Sequence, residues 1–284
     1  MKPSRAGIAI VLAILVATTS GCGVINRIRA KNQLNEAARA YRDRRYVEAE
    51  EHSRRSAELD PSNRTAPMFI ARSIHAQYRP GVQKPENIAK AQEAIQAYQQ
   101  ILANDPQNDE AYKAIAYLYE AINEDAKLRD WILSRANSDS ADPDKRSQAF
   151  VVLASQDWNC SFQITELPAH KITTVDRATN KATVSYKKPA EQKDFDQAQM
   201  CVNRGLEEAE NAIKFAPDNE SAWSYRTNLL LEASKLAEMA GQTEQKAKYQ
   251  AEYQAALKRT QELSDLARKR KEEEAAKAAA SPQG

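Results

Sequence analysis

Apolar positions along this chain follow two regimes. Residues 8–17 form an unbroken apolar run. Beyond residue 30, apolar and small residues recur at helical spacing among charged and amide side chains. The spacing predicts helices over 65–78, 86–103, 109–122, 125–137, 144–156, 191–215, 220–240 and 243–271, after an initial pair that closes near residue 59. Four proline-marked joints punctuate these stretches: Asp60-Pro61-Ser62-Asn63, Asp105-Pro106-Gln107-Asn108, Asp142-Pro143-Asp144 and Pro217-Asp218-Asn219. Proline cannot continue a helix, and the Asp, Asn or Ser after it suits the cap of the next one. Two segments depart from the helical pattern. Residues 79–85 carry Pro80, Gly81 and Pro85. Residues 157–190 hold two stretches rich in β-branched residues, 172–175 and 182–186, around a turn-like Asp176-Arg177-Ala178-Thr179-Asn180-Lys181. They predict a short β-hairpin.

The joints resemble the end of a tetratricopeptide repeat, a helix-turn-helix unit of about 34 residues with a proline near its close. The first unit carries the resemblance best. Tyr46-Val47-Glu48-Ala49 matches the start of the second helix, Ala37 is the small residue where two helices touch, and Glu58-Leu59-Asp60-Pro61 closes the unit. Ala71, Ala94 and Ala154 take close-contact places in later units, Ile115, Ala116 and Tyr119 fit the third, and Trp223 suits the first-helix aromatic of the fifth. Successive joint prolines are 45, 37 and 74 residues apart. The large excesses over the repeat length fall where the two interruptions lie. The fold class implied is all-α, a tetratricopeptide-like helical-repeat solenoid over 30–271, with a hairpin-containing insertion at 157–190. Residues 272–284 read as a fraying, disordered tail.

Composition agrees with helix. Only 7 of 284 residues are Gly and 11 are Pro, and much of the 42% hydrophobic content is alanine, which favours close helix contacts over one large core. The formal charge of +2 vanishes without the leader. Taking Lys2 and Arg5 from the 41 basic residues leaves 39, against 39 acidic ones. That balance gives no electrostatic reason to expect a nucleic acid.

Residues 1–21 have a positive start, the apolar run and a small-residue end. This is the form of a secretory signal peptide, and the run is short for a membrane span. Thr19-Ser20-Gly21-Cys22 resembles the bacterial lipobox, although Thr19 stands where leucine is usual. The resemblance implies that Cys22 is acylated and begins the mature chain, with 22–29 as a lipidated linker. The alternatives are ordinary secretion and an uncleaved anchor. Gly23 is not the aspartate that retains many lipoproteins at the inner membrane, so the expected address is the outer membrane, facing the periplasm. Acylation of Cys22 leaves Cys160 and Cys201 to pair in an oxidising compartment. Their bridge would close a loop worth roughly 4 kcal/mol in the chain-entropy picture.

No catalytic constellation emerges. His52, His75 and His170 lie in different units without metal-ligand neighbours at helical spacing, so no metal is expected. There is no Cys-x-x-Cys pair, phosphate-cradling glycine loop or nucleophile elbow. The chain reads as a non-enzyme that needs no cofactor or small-molecule substrate. In tetratricopeptide arrays the first helix of each unit lines the concave face. Carried onto this sequence, groove positions fall at Leu34, Ala38, Tyr41 and Arg42; at Met68, Arg72 and His75; at Lys113, Tyr117 and Glu120; and at Val151, Ser155 and Trp158. Tyr, Trp and Arg are common interface anchors, while Tyr41, Tyr117 and Trp158 equally suit packing between helices. The expected partner is a protein or peptide, met by a membrane-tethered scaffold. The alternative is a self-associating structural protein of the envelope. The insertion reads either as a partner-contact element or as a tolerated surface loop.

Overall fold

The computed structural model describes the backbone of residues 5–177 and 179–280 and the side chains of 23–177 and 179–277. The leader, the acylation at Cys22 and the end of the tail fall outside the described side chains. The elements are α1 (Arg5–Arg42), α2 (Tyr46–Leu59), α3 (Ala66–His75), α4 (Pro85–Asn104), α5 (Asp109–Ala121), α6 (Asp125–Ala136), α7 (Pro143–Thr165), β1 (Lys171–Asp176), β2 (Lys181–Tyr186), α8 (Gln192–Phe215), α9 (Glu220–Met239) and α10 (Thr243–Ala280). The chain is thus all-α apart from one hairpin, and its helices succeed one another as tetratricopeptide-like pairs. It divides into two compact units, Met1–Leu128 and Arg129–Gly284.

In the first unit each helix packs on its chain neighbours, and α1 also meets α3. Small residues set the contacts: Ala30, Ala37, Ala40, Ala49, Ala71, Ala91 and Ala94 are fully buried. With so little side chain between them, the helices approach closely, and dispersion among many atoms holds them. The turn after α1 uses Arg44 at φ 61, a left-handed residue that lets α2 reverse direction. The interruption at 79–85 has a built closure. Buried Asn87 accepts from the Arg79 backbone N–H at 2.9 Å and donates to the carbonyls of Arg79 and Val82, both at 2.8 Å. One amide side chain thus does for this loop what a backbone ladder does elsewhere.

The joints cap helices, but not all in one way. Asn108 accepts from Ala111 N–H at 3.0 Å and Asn219 from Ala222 N–H at 3.3 Å. Asn63 accepts from Thr65 N–H at 2.8 Å. At the third joint the order is reversed. Pro143 is the first residue of α7, and Asp142 before it accepts from Asp144 N–H at 2.9 Å. Proline suits that first position because the N–H it lacks would have no partner there.

In the second unit α7 and α8 form a long antiparallel pair, α9 packs on both, and α10 packs on α9. Phe195, Ala198, Val202, Ala233, Leu236 and Met239 make one core cluster, and Ala154, Ala209 and Leu229 another. Gly205 permits the closest approach. A Cβ there would stand 2.7 Å from a Leu229 methyl and 3.1 Å from the Cβ of Asp157. Cys160 and Cys201 are joined by a disulfide between α7 and α8, Cα atoms 6.2 Å apart. The hairpin is antiparallel in the register Lys171↔Tyr186 to Asp176↔Lys181.

Three boundaries differ from the sequence reading. Residues 23–29, expected as a linker, are helical within α1. Residues 272–280, expected to fray, continue α10. The insertion begins after Thr165 rather than at 157, because α7 runs on through Cys160. Ser161 and Thr165, polar residues that read as loop, are fully buried and hydrogen-bonded in that last stretch.

Candidate functional site

Helices α1, α3 and α5 of the first unit present one row of side chains. The row starts at a shallow cavity of about 470 Å³ lined by Asn35, Ala38, Arg39, Tyr41, Arg42, Phe69 and Arg72. Tyr41 stands edge-on to Tyr46, ring centroids 5.3 Å apart. Arg72 grips Glu110 of α5 with both arms of its guanidinium, Nε and Nη2 each 2.6 Å from a carboxylate oxygen. This hydrogen-bonded fork holds the Glu110 carboxyl below the usual range and raises Arg72. Next along α3, His75 lies 3.3 Å from the Tyr98 hydroxyl and packs on Tyr117 of α5 at 5.6 Å between centroids. Burial lowers His75 and drives the Tyr98 phenol far up, so both are neutral at physiological pH. Here the row offers aromatic faces rather than charge.

The positions carried over from the repeat resemblance separate accordingly. Ala38, Tyr41, Arg42, Arg72, His75 and Tyr117 belong to this row. Met68 is half-buried on α3, and Leu34 is half-buried on α1. Lys113 is exposed and paired with Asp109 at 2.7 Å, and Glu120 is exposed on α5. Trp158 is in the other unit, where it packs on Phe162 and Tyr225 with centroids 5.0 and 6.1 Å away. Phe69, Glu110 and Tyr98 were missed. Phe69 adjoins Met68, Glu110 lies three residues before Lys113, and Tyr98 lies on α4, so only the pairing across helices exposes them.

The second unit holds a different kind of site, buried and fully polar. Asp157, at 1% exposure, receives Arg204 Nε at 2.9 Å and Arg129 Nη2 at 3.2 Å. Arg129 also bonds Glu208, one of whose oxygens has no hydrogen-bond partner. Burial first, then the neighbouring Asp157 carboxyl, push the Glu208 carboxyl up to about 8 against the pull of Arg129. The Glu208 carboxyl therefore keeps its proton well above the usual carboxylate range. Nearby, Glu232 accepts from Ser161, Thr165 and Lys235 at 3.1, 2.6 and 2.5 Å. Lys235 also donates to Glu166 at 2.6 Å. Glu166 in turn receives Lys171 of β1 at 2.7 Å and the Tyr186 hydroxyl of β2 at 3.1 Å. Burial works to raise Glu166, but the hydrogen bonds of Lys171 and Lys235 win and hold it at about 2. The network fixes the root of the hairpin to α7 and α9. Beyond that root the strands are exposed, including Ile172, Val175 and Val184.

The row of the first unit lies open to solvent and carries no nucleophile beside a base. Asp157, Glu166 and Glu232 of the second unit are tied up by arginine, lysine and hydroxyl groups. Among the described residues, no group of three or more His, Cys, Asp or Glu could hold a metal ion.

No protein-family model matches the chain, and no curated protein matches it in sequence. Solved structures do superpose on it. MamA from Desulfovibrio magneticus RS-1 is 12% identical, with 78% of this chain and 94% of that one covered at a TM-score of 0.36. A tetratricopeptide repeat protein from Parabacteroides merdae is 13% identical, with 84% and 98% covered at a TM-score of 0.34. The TPR2AB domain of yeast Sti1, solved in complex with an Hsp90 peptide, is 12% identical, with 82% and 96% covered at a TM-score of 0.29.

Proposed function

We propose that this protein is a non-catalytic scaffold of the bacterial cell envelope, anchored by a lipid at Cys22 and presenting the row on α1, α3 and α5 to a protein partner. The observation that carries the reading is the row itself. Tyr41, Phe69, Arg72, His75 and Tyr117 form a run of aromatic and guanidinium surface across three helices of different pairs. Such side chains give large contact area at small entropic cost and anchor most protein interfaces. The cavity is shallow and open to solvent, which suits an extended segment better than a small molecule.

Anchoring rests on the sequence: the positive, apolar and small-residue parts of residues 1–21 and the lipobox resemblance ending at Cys22. No helix among the described residues is long and apolar enough to cross a membrane. The absence of aspartate after Cys22 favours the outer membrane, facing the periplasm. The disulfide between Cys160 and Cys201 fits an oxidising compartment.

The test is a photo-crosslink made in the native envelope. A benzophenone residue at Lys113, beside the row, is expected to capture a partner, and capture is expected to fall when Tyr41, Arg72 and Tyr117 are changed to alanine. Unchanged capture by the triple variant refutes the groove. Mass spectrometry of the N-terminal peptide tests the anchor, since an unmodified Cys22 excludes it.

A further inference from the structure

Where the described side chains of α1 begin, the helix carries an exposed apolar face. Val24, Ile25 and Ile28 are 59%, 51% and 58% exposed. Among them stand Arg27, Arg29 and Lys31, which are exposed and form no ion pair or hydrogen bond with any described residue. No Asp or Glu occurs before Glu36.

The two groups are sorted around the helix. With Val24 as origin and about 100° per residue, Ile28 lies at about 40° and Ile25 at about 100°. Ala30, fully buried, lies at about 240° on the opposite side. There its carbonyl accepts from Ser56 of α2 at 2.8 Å. Arg27 and Lys31 flank the apolar arc at about 300° and 340°, and Arg29 flanks it at about 140°. An apolar arc bordered on both sides by cations, and pointing away from the protein, has the form of a helix that lies in a membrane interface. The apolar side chains enter the boundary between headgroups and acyl chains, while the long basic ones reach back to the phosphates.

We infer that residues 23–31 dock along an anionic bilayer surface, with Val24, Ile25 and Ile28 immersed and Arg27, Arg29 and Lys31 bound to lipid phosphates. The inference rests on the proposed anchoring, which delivers this segment to a membrane. Two arguments select lipid over a second copy of the chain. Three side chains fall far short of the roughly 800 Å² per partner that a stable protein interface buries. A two-fold contact there would also bring like charges together. An anionic surface instead complements all three cations, and each adds about a fivefold factor in binding. Docking would also fix the direction in which α1 leaves the membrane, which a lipid on a flexible linker would not.

The test uses the full chain, reconstituted into vesicles of phosphatidylglycerol and phosphatidylethanolamine, with a benzophenone residue at position 28 or, as control, at 113. Lipid adducts are expected at 28 and not at 113. They are expected to fall at least about fivefold, the factor for one surface cation, in phosphatidylcholine vesicles and in the R27Q/R29Q/K31Q variant. Circular dichroism checks that this variant stays folded. Protein that floats with vesicles but crosslinks lipid no more at 28 than at 113 overturns the inference and leaves the anchor standing. Adducts from 28 to another copy overturn it in favour of self-association. Adducts at 28 that persist in a Cys22→Ser chain uphold it even where the acylation reading fails.

Discussion

In the first unit the bidentate pair of Arg72 and Glu110 sits at 41% and 48% side-chain exposure. In the second unit Lys235 and Glu232 sit at 7% and 1%. The chemistry is the same, a cation held by a carboxylate, but the surroundings reverse its meaning. At the exposed pair water screens the attraction and competes for both partners, so breaking it costs little and a ligand can replace one side. At the buried pair each charge has lost its water and depends on its partners, so removing one strands the rest. The first unit thus holds charge in exchangeable form, on an open row of aromatic rings. The second uses it as internal framework, pinning the hairpin root. An arginine that can change partners belongs to a recognition surface, and a lysine that cannot belongs to the fold.

The comparison predicts that the largest losses of stability follow changes to the covalent and ionic framework of the second unit. All three tryptophans, Trp131, Trp158 and Trp223, lie in that unit, so their fluorescence reports its unfolding selectively. Reducing the disulfide, or replacing Cys160 and Cys201 with serine, is expected to lower its stability by about 4 kcal/mol, the entropy of closing a loop of this length. A transition seen by tryptophan that does not move on reduction would break the claim that α7 and α8 are held at this point.

Glu232→Ala comes next, at about 3 kcal/mol, the low end for breaking a buried pair because Lys235 keeps Glu166. The hydroxyls of Ser161 and Thr165 lose their acceptor at the same time. Glu232→Gln is expected to recover part of the loss by restoring an acceptor. If both variants unfold with the wild-type midpoint, the buried network is not the framework described here.

This second site was the part of the molecule least legible in sequence. Glu232 follows Leu229-Leu230-Leu231, and an acid inside an apolar run is a weak signal of burial. Asp157 and Glu208 carried none, because acidic residues abound on helix surfaces here. The fold was far more legible. Proline joints, capping asparagines and contact alanines act over a few residues, and local physics places them. The hairpin was visible for the same reason, as β-branched residues around a turn. The C-terminal third of α7 was not, since Ser161 and Thr165 favour loops until the buried Glu232 carboxylate across the fold satisfies them. The row on α1, α3 and α5 was half legible. The repeat resemblance marked Tyr41, Arg72, His75 and Tyr117, whereas Glu110 and Phe69 depend on which helices become neighbours.

A gentler probe of the same contrast is pH. The Glu208 carboxyl is raised from 4.5 to about 8. Its contribution to stability is complete below 4.5 and is lost as pH rises through about 8, because the unfolded chain then releases a proton that the folded chain retains. Glu166 runs the other way. Its carboxyl is held at about 2, so its contribution is complete above 4.5 and is lost as pH falls toward 2. Tryptophan-detected stability should therefore decline between pH 4.5 and 8, and Glu208→Gln should flatten that slope while leaving the acid limb intact. A slope unchanged in this variant would mean that another group carries the proton.

The smallest effect on stability is expected at the row itself. Arg72→Ala should cost less than about 1 kcal/mol, since both partners of the pair are well hydrated. Loss of partner capture in this variant, with stability intact, would separate recognition from folding in a way no second-unit substitution can. Arg72→Lys sharpens the point. A lysine keeps the charge but cannot place two parallel N–H bonds on Glu110. If lysine restores capture, the row works through charge alone. If it does not, the planar fork is what Glu110 holds in position, and the pair is a device for presenting one face of an arginine to a partner.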